Sequence, residues 1–170
     1  FHWKTGSDTE VTLELFARFG AESFKWLNGI FAFAIYDTVE EKIWLCRDHL
    51  GIKPLFIHRD ESRFSWASEL KALVQAKHAQ RLPINRKAIP YFLHLGYIPE
   101  PATIYEGIEK FPAGHYGMLE TKTGQWTQTP YWQASDYYLA DPVTNEAAAL
   151  QQYREKLFAA VERQMISDVP

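Results

Sequence analysis

One bend of the chain, residues 45–55, brings together a lone cysteine, two opposite charges and a glycine hinge. Arg47 and Asp48 stand where an apolar strand is predicted to end, and charge at the end of a buried strand is usually paired or functional. Gly51 permits a positive φ, and Pro54 sets the backbone for the next apolar run. The sequence therefore marks this bend as the first candidate for a functional site.

Cys46 is the residue of the bend that invites a catalytic interpretation. It alternates with Trp44 on one face of a predicted strand, where a free cysteine is most often a small buried hydrophobe. It is neither N-terminal nor next to a base. We therefore predict that Cys46 belongs to the core and is not a nucleophile.

Composition excludes several classes of function. The formal net charge is −3 with 46% apolar residues, which leaves no basic patch for nucleic acid. The longest apolar stretch, residues 29–36, is far shorter than the ~20 residues that cross a bilayer. One cysteine forms no internal disulfide, which favours a cytoplasmic setting, and the scattered histidines predict no metal site.

The elements that must position the bend begin with a helix over residues 8–19, opened by a capping box of Ser7 with Glu10. A short helix over about 21–27 follows and ends at Asn28-Gly29, for which we predict a turn with positive φ. Residues 30–36 are apolar on both faces of a predicted strand, so we expect a strand that is covered on both sides.

The next elements predict an α+β sandwich. Strands near 42–47, 54–59 and 63–67 have short connections, which suggests an antiparallel meander, and a helix follows over 68–76.

The second half of the chain starts with an apolar helix that begins at Asn85 and ends at Gly96. Residues 98–101 are predicted to form a rigid connector, 103–111 a turn or a single helical turn, and 115–120 with 125–131 a hairpin. Residues 133–145 read as a linker into another domain, and 147–165 as an amphipathic helix. Because the chain starts without Met, we expect it to be part of a longer protein.

Five segments, in this order, resemble the glutamine-dependent asparagine synthetase family. They are residues 5–11 (Thr-Gly-Ser-Asp-Thr-Glu-Val), 27–34 (Leu-Asn-Gly-Ile-Phe-Ala-Phe-Ala), 47–55 (Arg-Asp-His-Leu-Gly-Ile-Lys-Pro-Leu), 67–73 (Ala-Ser-Glu-Leu-Lys-Ala-Leu) and 111–116 (Phe-Pro-Ala-Gly-His-Tyr). Each segment is weak alone, but their order makes the resemblance specific. Residues 166–170 also resemble the lead-in to the loop that grips the pyrophosphate of ATP in that family.

The resemblance implies an αββα N-terminal-nucleophile hydrolase sandwich of antiparallel sheets. Residues 1–132 would be the C-terminal portion of a glutaminase domain, 133–145 a linker, and 146–170 the start of an α-rich, ATP-dependent synthetase domain. The implied reaction converts aspartate, glutamine and ATP to asparagine, glutamate, AMP and pyrophosphate. ATP with Mg would bind outside this segment.

The family's catalytic groups are an N-terminal cysteine, whose thiolate attacks the glutamine amide, and an oxyanion-binding Asn-Gly pair. The resemblance places both, and a glutamine-binding arginine, upstream of Phe1, so we expect no catalytic residue here and no glutaminase activity from the segment alone. Asn28-Gly29 matches the pair only superficially. Asp8 carries over as the partner of the α-amino group of glutamine; otherwise it is a first-turn carboxylate that complements the helix dipole, worth about 0.3–1 kcal/mol.

The resemblance also implies a buried apolar passage for ammonia, with Ile30 and Ile52 in its wall; the alternative is that both are ordinary core residues. For Arg47 and Asp48 we expect a role as anchors of the bend against a further domain, and the alternative is a surface or edge salt bridge worth ~0–1 kcal/mol.

Three functions stay open at this point. The first is asparagine synthesis. The second keeps the architecture but changes the acceptor, as in amidotransferases of specialised pathways or lactam-forming synthetases. The third is a non-catalytic interaction module that binds a partner through Tyr131-Trp132 or the 147–165 helix. The oligomeric state is also open, with a homodimer among the alternatives.

Overall fold

The computed structural model describes residues 3–76, 82–138 and 143–165. The chain divides into two compact units, Phe1–Gln133 and Ala134–Pro170. The elements of the first unit are α1 (Asp8–Phe19), a 3-10 helix (Gly20–Trp26), β1 (Ala32–Asp37), β2 (Lys42–Arg47), β3 (Phe56–Arg59), β4 (Phe64–Ala67), α2 (Leu70–Gln75), α3 (Ala88–Leu95), β5 (Ile108–Lys110), β6 (His115–Glu120) and β7 (Trp126–Pro130). The elements of the second unit are α4 (Ser135–Tyr138) and α5 (Glu146–Gln164).

Two antiparallel sheets form the first unit. One has the strand order β1-β2-β6-β7 and the other the order β4-β3-β5. The predicted antiparallel sandwich is confirmed, but the predicted meander from β2 into β3 is wrong. These two strands are consecutive in the chain and lie in different sheets, because the bend after Arg47 carries the chain from one sheet to the other.

Strand β2 separates two hydrophobic cores. Ile43 and Leu45 face a core shared with Ile57 of β3 and with Phe111, between the sheets. The alternate side chains of β2 face a second core that contains Phe24 of the 3-10 helix. The layers of the first unit are therefore helices, sheet and sheet, and β2 alternates between cores because its side chains point to opposite faces in turn.

Helix α1 has the predicted bounds, but its capping box is only half formed. Ser7 accepts a hydrogen bond from the Thr9 N–H at 3.2 Å, as an N-cap should. The Glu10 carboxylate reaches past Ser7 and accepts from the N–H groups of Lys4 at 2.8 Å and Thr5 at 2.7 Å. The Thr5 hydroxyl also donates to the Glu10 carboxylate, and this hydrogen bond is the main cause of the lowered pKa of Glu10.

Strand β1 is an edge strand, and the prediction that both its faces are covered is wrong. Ile35 is buried against the helices, whereas Ala34 is exposed and Tyr36 is 57% exposed on the other face. The core between the two sheets includes Ala32 on that face but not Ala34 or Tyr36. The turn before β1 also differs from expectation, because Gly29 does not have a positive φ.

The predicted turn at 103–111 contains strand β5, which pairs with β3. A three-residue strand is too short for its alternation to be seen in the sequence. The Thr103 hydroxyl donates to the Ile108 carbonyl at 2.8 Å and closes the loop that leads into it. The predicted hairpin is confirmed as β6 and β7, with Gly124 at φ 72° in its turn.

The remaining helices carry exposed apolar side chains. Helix α3 ends at Gly96, which has φ 77°, as predicted, and it leaves Phe92 and Leu93 exposed. Helix α5 begins after Asn145, whose side chain accepts from the Ala148 N–H at 3.0 Å, and has no buried residue. None of the described helices has the length and apolar character needed to cross a membrane. The predicted lead-in at 166–170 lies outside the described residues.

Candidate functional site

A cavity of about 420 Å³ opens beside the edge strand β1. Its lining comes from the start of α1, from the segment that leads into and forms β1, from the end of the bend and from the turn before α2: Asp8, Thr9, Thr12, Leu13, Ile30, Phe31, Ala32, Phe33, Ala34, Ile35, Lys53, Pro54 and Ser68. The volume falls within the range of sites that hold small molecules. Most of the lining is apolar, so its few polar groups decide which ligand would fit.

Asp8 supplies a carboxylate to this cavity. It is the first residue of α1, it is exposed, and its Oδ1 lies 3.5 Å from the Thr9 hydroxyl. Lys53, whose side chain carries an ammonium group, and Ser68, which carries a hydroxyl, belong to the same lining. A carboxylate and an amine in a largely apolar cavity suit a small zwitterion such as a free amino acid, because each charge of the ligand meets its opposite.

Asp8 was singled out by the sequence motif, whereas Lys53 and Ser68 were not. Both lie inside motifs that matched the family, but a lysine and a serine in loops carry no spacing signal of their own. They line the cavity because the bend and the turn before α2 fold toward β1. That placement depends on tertiary structure.

One carboxylate, that of Asp48, organises residues 48–53 of the bend. Asp48 is 1% exposed, and its Oδ1 accepts from the N–H groups of Leu50 at 3.2 Å and Ile52 at 2.9 Å. Its Oδ2 accepts from the N–H groups of Lys53 at 3.0 Å and Phe31 at 3.3 Å. A buried carboxylate that meets four N–H donors is well compensated for the loss of water.

Arg47 ties the bend to distant parts of the first unit. Its guanidinium donates to the carbonyls of Lys53 and Gly51, both at 2.7 Å, and also to the carbonyl of Phe111. It forms an ion pair with Glu100 at 2.6 Å. These contacts make Arg47 a crosslink between the bend and residues that follow much later in the chain.

The alternative of a surface salt bridge between Arg47 and Asp48 is wrong. Both side chains are buried, and each bonds to other partners, because the bend turns its backbone groups inward toward them. All their described bonds stay within the first unit. Their role as anchors against a further domain stays a prediction.

The two isoleucines of the predicted ammonia passage have different places. Ile30 lines the cavity and is 37% exposed. Ile52 is 57% exposed, is not among the described lining residues, and is joined to the site through its backbone N–H, which Asp48 accepts. The passage itself stays a prediction.

Cys46 is a core residue, as predicted. It is fully buried and free, and burial raises the pKa of its thiol far above the usual range. A thiol that resists ionisation is a poor nucleophile. Among the described residues, no group of three or more histidine, cysteine, aspartate or glutamate side chains is arranged to hold a metal ion.

Comparison with known proteins identifies the family. Residues 1–132 match the model of the glutamine amidotransferase domain. The chain belongs to this family. Glutamine amidotransferases are glutamine-dependent enzymes.

Similar proteins include glutamine-hydrolysing asparagine synthetases. One from Methanocaldococcus jannaschii, provisionally named asparagine synthetase 2, is 33% identical over 168 residues, which cover 98% of this chain and 32% of that protein. Asparagine synthetase B of Escherichia coli K12 is 32% identical over 171 residues, covering 100% of this chain and 25% of that protein. The amidotransferase chain thus spans about a quarter to a third of the length of these relatives.

A solved structure supports the fold of the amidotransferase domain. The glutamine phosphoribosylpyrophosphate amidotransferase of Bacillus subtilis, in complex with ADP and GMP, superposes with a TM-score of 0.51 at 20% identity. The match covers 78% of this chain and 24% of that one. The fold is therefore the N-terminal-nucleophile sandwich of glutamine amidotransferases.

Proposed function

We propose that this chain is part of a glutamine-hydrolysing asparagine synthetase, in which residues 1–132 belong to the glutaminase domain and bind glutamine in the cavity beside β1. The observation that carries the proposal is the position of Asp8 in that cavity, within a chain whose first 132 residues match the amidotransferase family. Residues 133–145 would then be a linker and 146–170 the start of the synthetase domain.

In this proposal Asp8 accepts hydrogen bonds from the α-ammonium group of glutamine. Asp8 is an exposed member of the cavity lining, and residues of β1 are among its apolar members. A charged contact to a free α-ammonium group selects an amino acid over a peptide, whose corresponding nitrogen is a neutral amide. Lys53, in the same lining, offers a positive charge to the α-carboxylate.

The nucleophile of the proposed reaction lies outside this chain. Cys46 is unsuited to the task, because it is buried between β2 and the helices and its pKa is raised by desolvation. The oxyanion-binding Asn-Gly pair is likewise assigned outside the chain, and Asn28-Gly29 is assigned to the turn before β1. The chain contributes substrate binding and the scaffold for it.

ATP and Mg are required to activate aspartate in the proposed reaction. The described residues do not bring together a set of carboxylates or other donors that would hold the metal. We therefore assign both ATP and Mg to the synthetase domain, and none of the residues described above takes part in the activation of aspartate.

The test is an assay of the complete polypeptide with glutamine, aspartate, ATP and Mg²⁺. We expect glutamate and asparagine to form together, and asparagine to form also when ammonium chloride replaces glutamine. A Cys46→Ala variant should keep its glutamine-dependent activity close to that of the wild type. Glutamate without asparagine would point to another acceptor, and no glutamate at all would overturn the proposal.

A further inference from the structure

We propose that Asp48 is a positioning residue for the cavity beside β1, because its carboxylate fixes the two chain segments that form one wall of that cavity. The segments are residues 30–35, which lead into and form β1, and residues 53–54 at the end of the bend. The inference rests on the proposed function, which places glutamine in this cavity.

One oxygen of Asp48 bridges the two segments. Oδ2 accepts from the Phe31 N–H at 3.3 Å and from the Lys53 N–H at 3.0 Å, and both of these residues line the cavity. Oδ1 accepts from the N–H groups of Leu50 and Ile52, within the bend itself. The carboxylate therefore shapes the bend with one oxygen and holds it against the start of β1 with the other.

The side chain of Asp48 takes the place of its own backbone carbonyl. The β1–β2 ladder ends at the pair Ala32 and Arg47, and the next bond follows the ladder, since the Asp48 N–H donates to the Phe31 carbonyl at 2.9 Å. The return bond from the Phe31 N–H goes to Oδ2. The Asp48 carbonyl is thereby left to accept from Gly51 at 3.1 Å and Gly114 at 2.9 Å.

Because the side-chain oxygen accepts the bond from the Phe31 N–H in place of the backbone carbonyl, the chain can leave β2 and still stay hydrogen-bonded to β1. An ordinary ladder pair would use one of the two lone pairs of the carbonyl for Phe31, so Gly51 and Gly114 could not both keep that acceptor. A carboxylate offers acceptor sites on two oxygens and no donor, so it can accept from Leu50, Ile52 and Lys53 of the bend and from Phe31 at once. The wall of the cavity is thus set by a residue that does not itself line it.

An asparagine in this position would break the arrangement in a defined way. The Asn side chain has one carbonyl oxygen and one NH₂ group, so one of the two pairs of N–H groups would face a donor. Either the bend loses its two bonds or the bridge between Phe31 and Lys53 is lost. Each outcome displaces the residues that line the cavity while leaving the volume of the side chain nearly unchanged.

The test compares Asp48→Asn with the wild type in the complete polypeptide. We expect kcat/KM for glutamine to fall roughly 10–100-fold, because small displacements of positioning groups have effects of this size. Activity with ammonium chloride in place of glutamine should stay close to that of the wild type. Asp60→Asn is the matched control, because Asp60 also accepts from a loop N–H, that of Ser62 at 2.9 Å, but is exposed and lies away from the cavity.

The outcomes separate this inference from the proposed function. A wild-type protein that releases no glutamate would overturn the function, whatever the variant does. Wild-type hydrolysis with an unchanged Asp48→Asn variant would overturn the positioning role alone. If Asp48→Asn loses glutamine-dependent and ammonia-dependent activity together, Asp48→Glu repeats the test with the charge kept, and a joint loss there also would mean that Asp48 only supports folding.

Discussion

Asp8 and Asp48 serve the same cavity from opposite physical settings. Asp48 is 1% exposed, and its two oxygens are occupied by backbone N–H groups of the bend and of β1. Asp8 is exposed at the start of α1, with a hydroxyl at 3.5 Å as its described side-chain partner. The difference teaches that the fold uses one carboxylate to build the wall and keeps the other accessible to a ligand.

The two cationic side chains of the bend repeat this contrast. Arg47 is buried, and its guanidinium is bonded to three carbonyls and to Glu100. Lys53 is exposed and belongs to the lining of the cavity, and its backbone N–H donates to Asp48 within the bend. Replacing Arg47 should therefore act mainly on stability. Replacing the exposed Asp8 should act on ligand binding directly, and replacing Asp48 should act on it through the residues that line the cavity.

Replacing Arg47 should have the largest effect on stability. Arg47→Ala removes the guanidinium from three carbonyl groups and leaves Glu100 without its ion-pair partner. Leaving buried carbonyls without a donor costs about 1–3 kcal/mol of unfolding free energy each, whereas the Glu100 side chain is 39% exposed and its charge stays hydrated, so we expect a loss of about 3 kcal/mol. Urea denaturation followed by tryptophan fluorescence measures the loss.

The matched control for Arg47 is Arg63→Ala, an arginine exposed in the turn between β3 and β4. Its unfolding free energy should stay within about 0.5 kcal/mol of the wild type, as is usual for surface substitutions. Equal losses for the two variants would remove the distinction between the buried and the exposed charges.

Replacing Asp8 should have the next largest effect, on glutamine binding and not on stability. Asp8→Asn keeps the shape of the side chain and removes its charge, so KM for glutamine should rise roughly 10–100-fold, the equivalent of about 1.5–3 kcal/mol for a charged hydrogen bond. Activity with ammonium chloride should change little. Initial-rate kinetics with both nitrogen donors give the comparison.

The control for Asp8 is Glu14→Gln, which removes a carboxylate from the same helix at an exposed position outside the described lining. It should leave KM for glutamine close to that of the wild type. If Asp8→Asn lowers both activities equally, Asp8 acts on the fold through the start of α1, and its proposed contact with the ammonium group is wrong.

A glycine pair tests how tightly Arg47 packs against the bend. Gly51 has φ 65°, and a Cβ there would lie 2.9 Å from the Arg47 guanidinium, whereas Gly124 has φ 72° with nothing within 4 Å of such a Cβ. Both alanine variants pay for the left-handed backbone, so their difference isolates the clash. Gly51→Ala should be about 1–2 kcal/mol less stable than Gly124→Ala in urea denaturation, as expected for overpacking.

Equal stability of the two alanine variants would mean that Arg47 can move aside without cost. That result would contradict a guanidinium held in place by the Gly51 and Lys53 carbonyls.

Local patterns of the sequence predicted the parts of the fold that depend on neighbouring residues. The strand β2, the alternation of Trp44 with Cys46 and the β6–β7 hairpin all follow from side-chain periodicity or turn residues. The positive φ of Gly51 was predicted for the same reason. These features are specified by residues close together in the chain.

The parts that were missed depend on residues far apart. Arg47 donates to Glu100 and to the Phe111 carbonyl, which lie 53 and 64 positions away in the chain, and no local pattern predicts either contact. The same holds for the placement of β3 in a separate sheet and for Lys53 in the cavity lining. The family motif located Asp8, but only the structure shows that Asp48 bridges two segments that line the cavity.

The smallest expected effect concerns His49, which follows Asp48 and packs edge-on against Tyr131 and Trp132. Burial lowers the pKa of His49, although the neighbouring Asp48 carboxylate acts in the opposite direction. As the pH falls below the ordinary histidine pKa of about 6.5, His49 therefore takes up a proton in the unfolded chain at a higher pH than in the folded chain. The stability that His49 contributes is complete above that pH and decreases below it.

His49→Gln should remove this part of the pH dependence. Urea midpoints at about pH 7.5 and about pH 5.5 bracket the histidine range and avoid the carboxylates, which titrate lower. We expect the midpoint of the wild type to fall more between the two conditions than that of His49→Gln. Because the imidazole is only partly buried, the difference should be the smallest of the series. An equal or larger fall of the midpoint in the variant would mean that the His49 ring is as well solvated as an exposed histidine. The contrast between buried and exposed groups would then not extend from Asp48 to its neighbour His49.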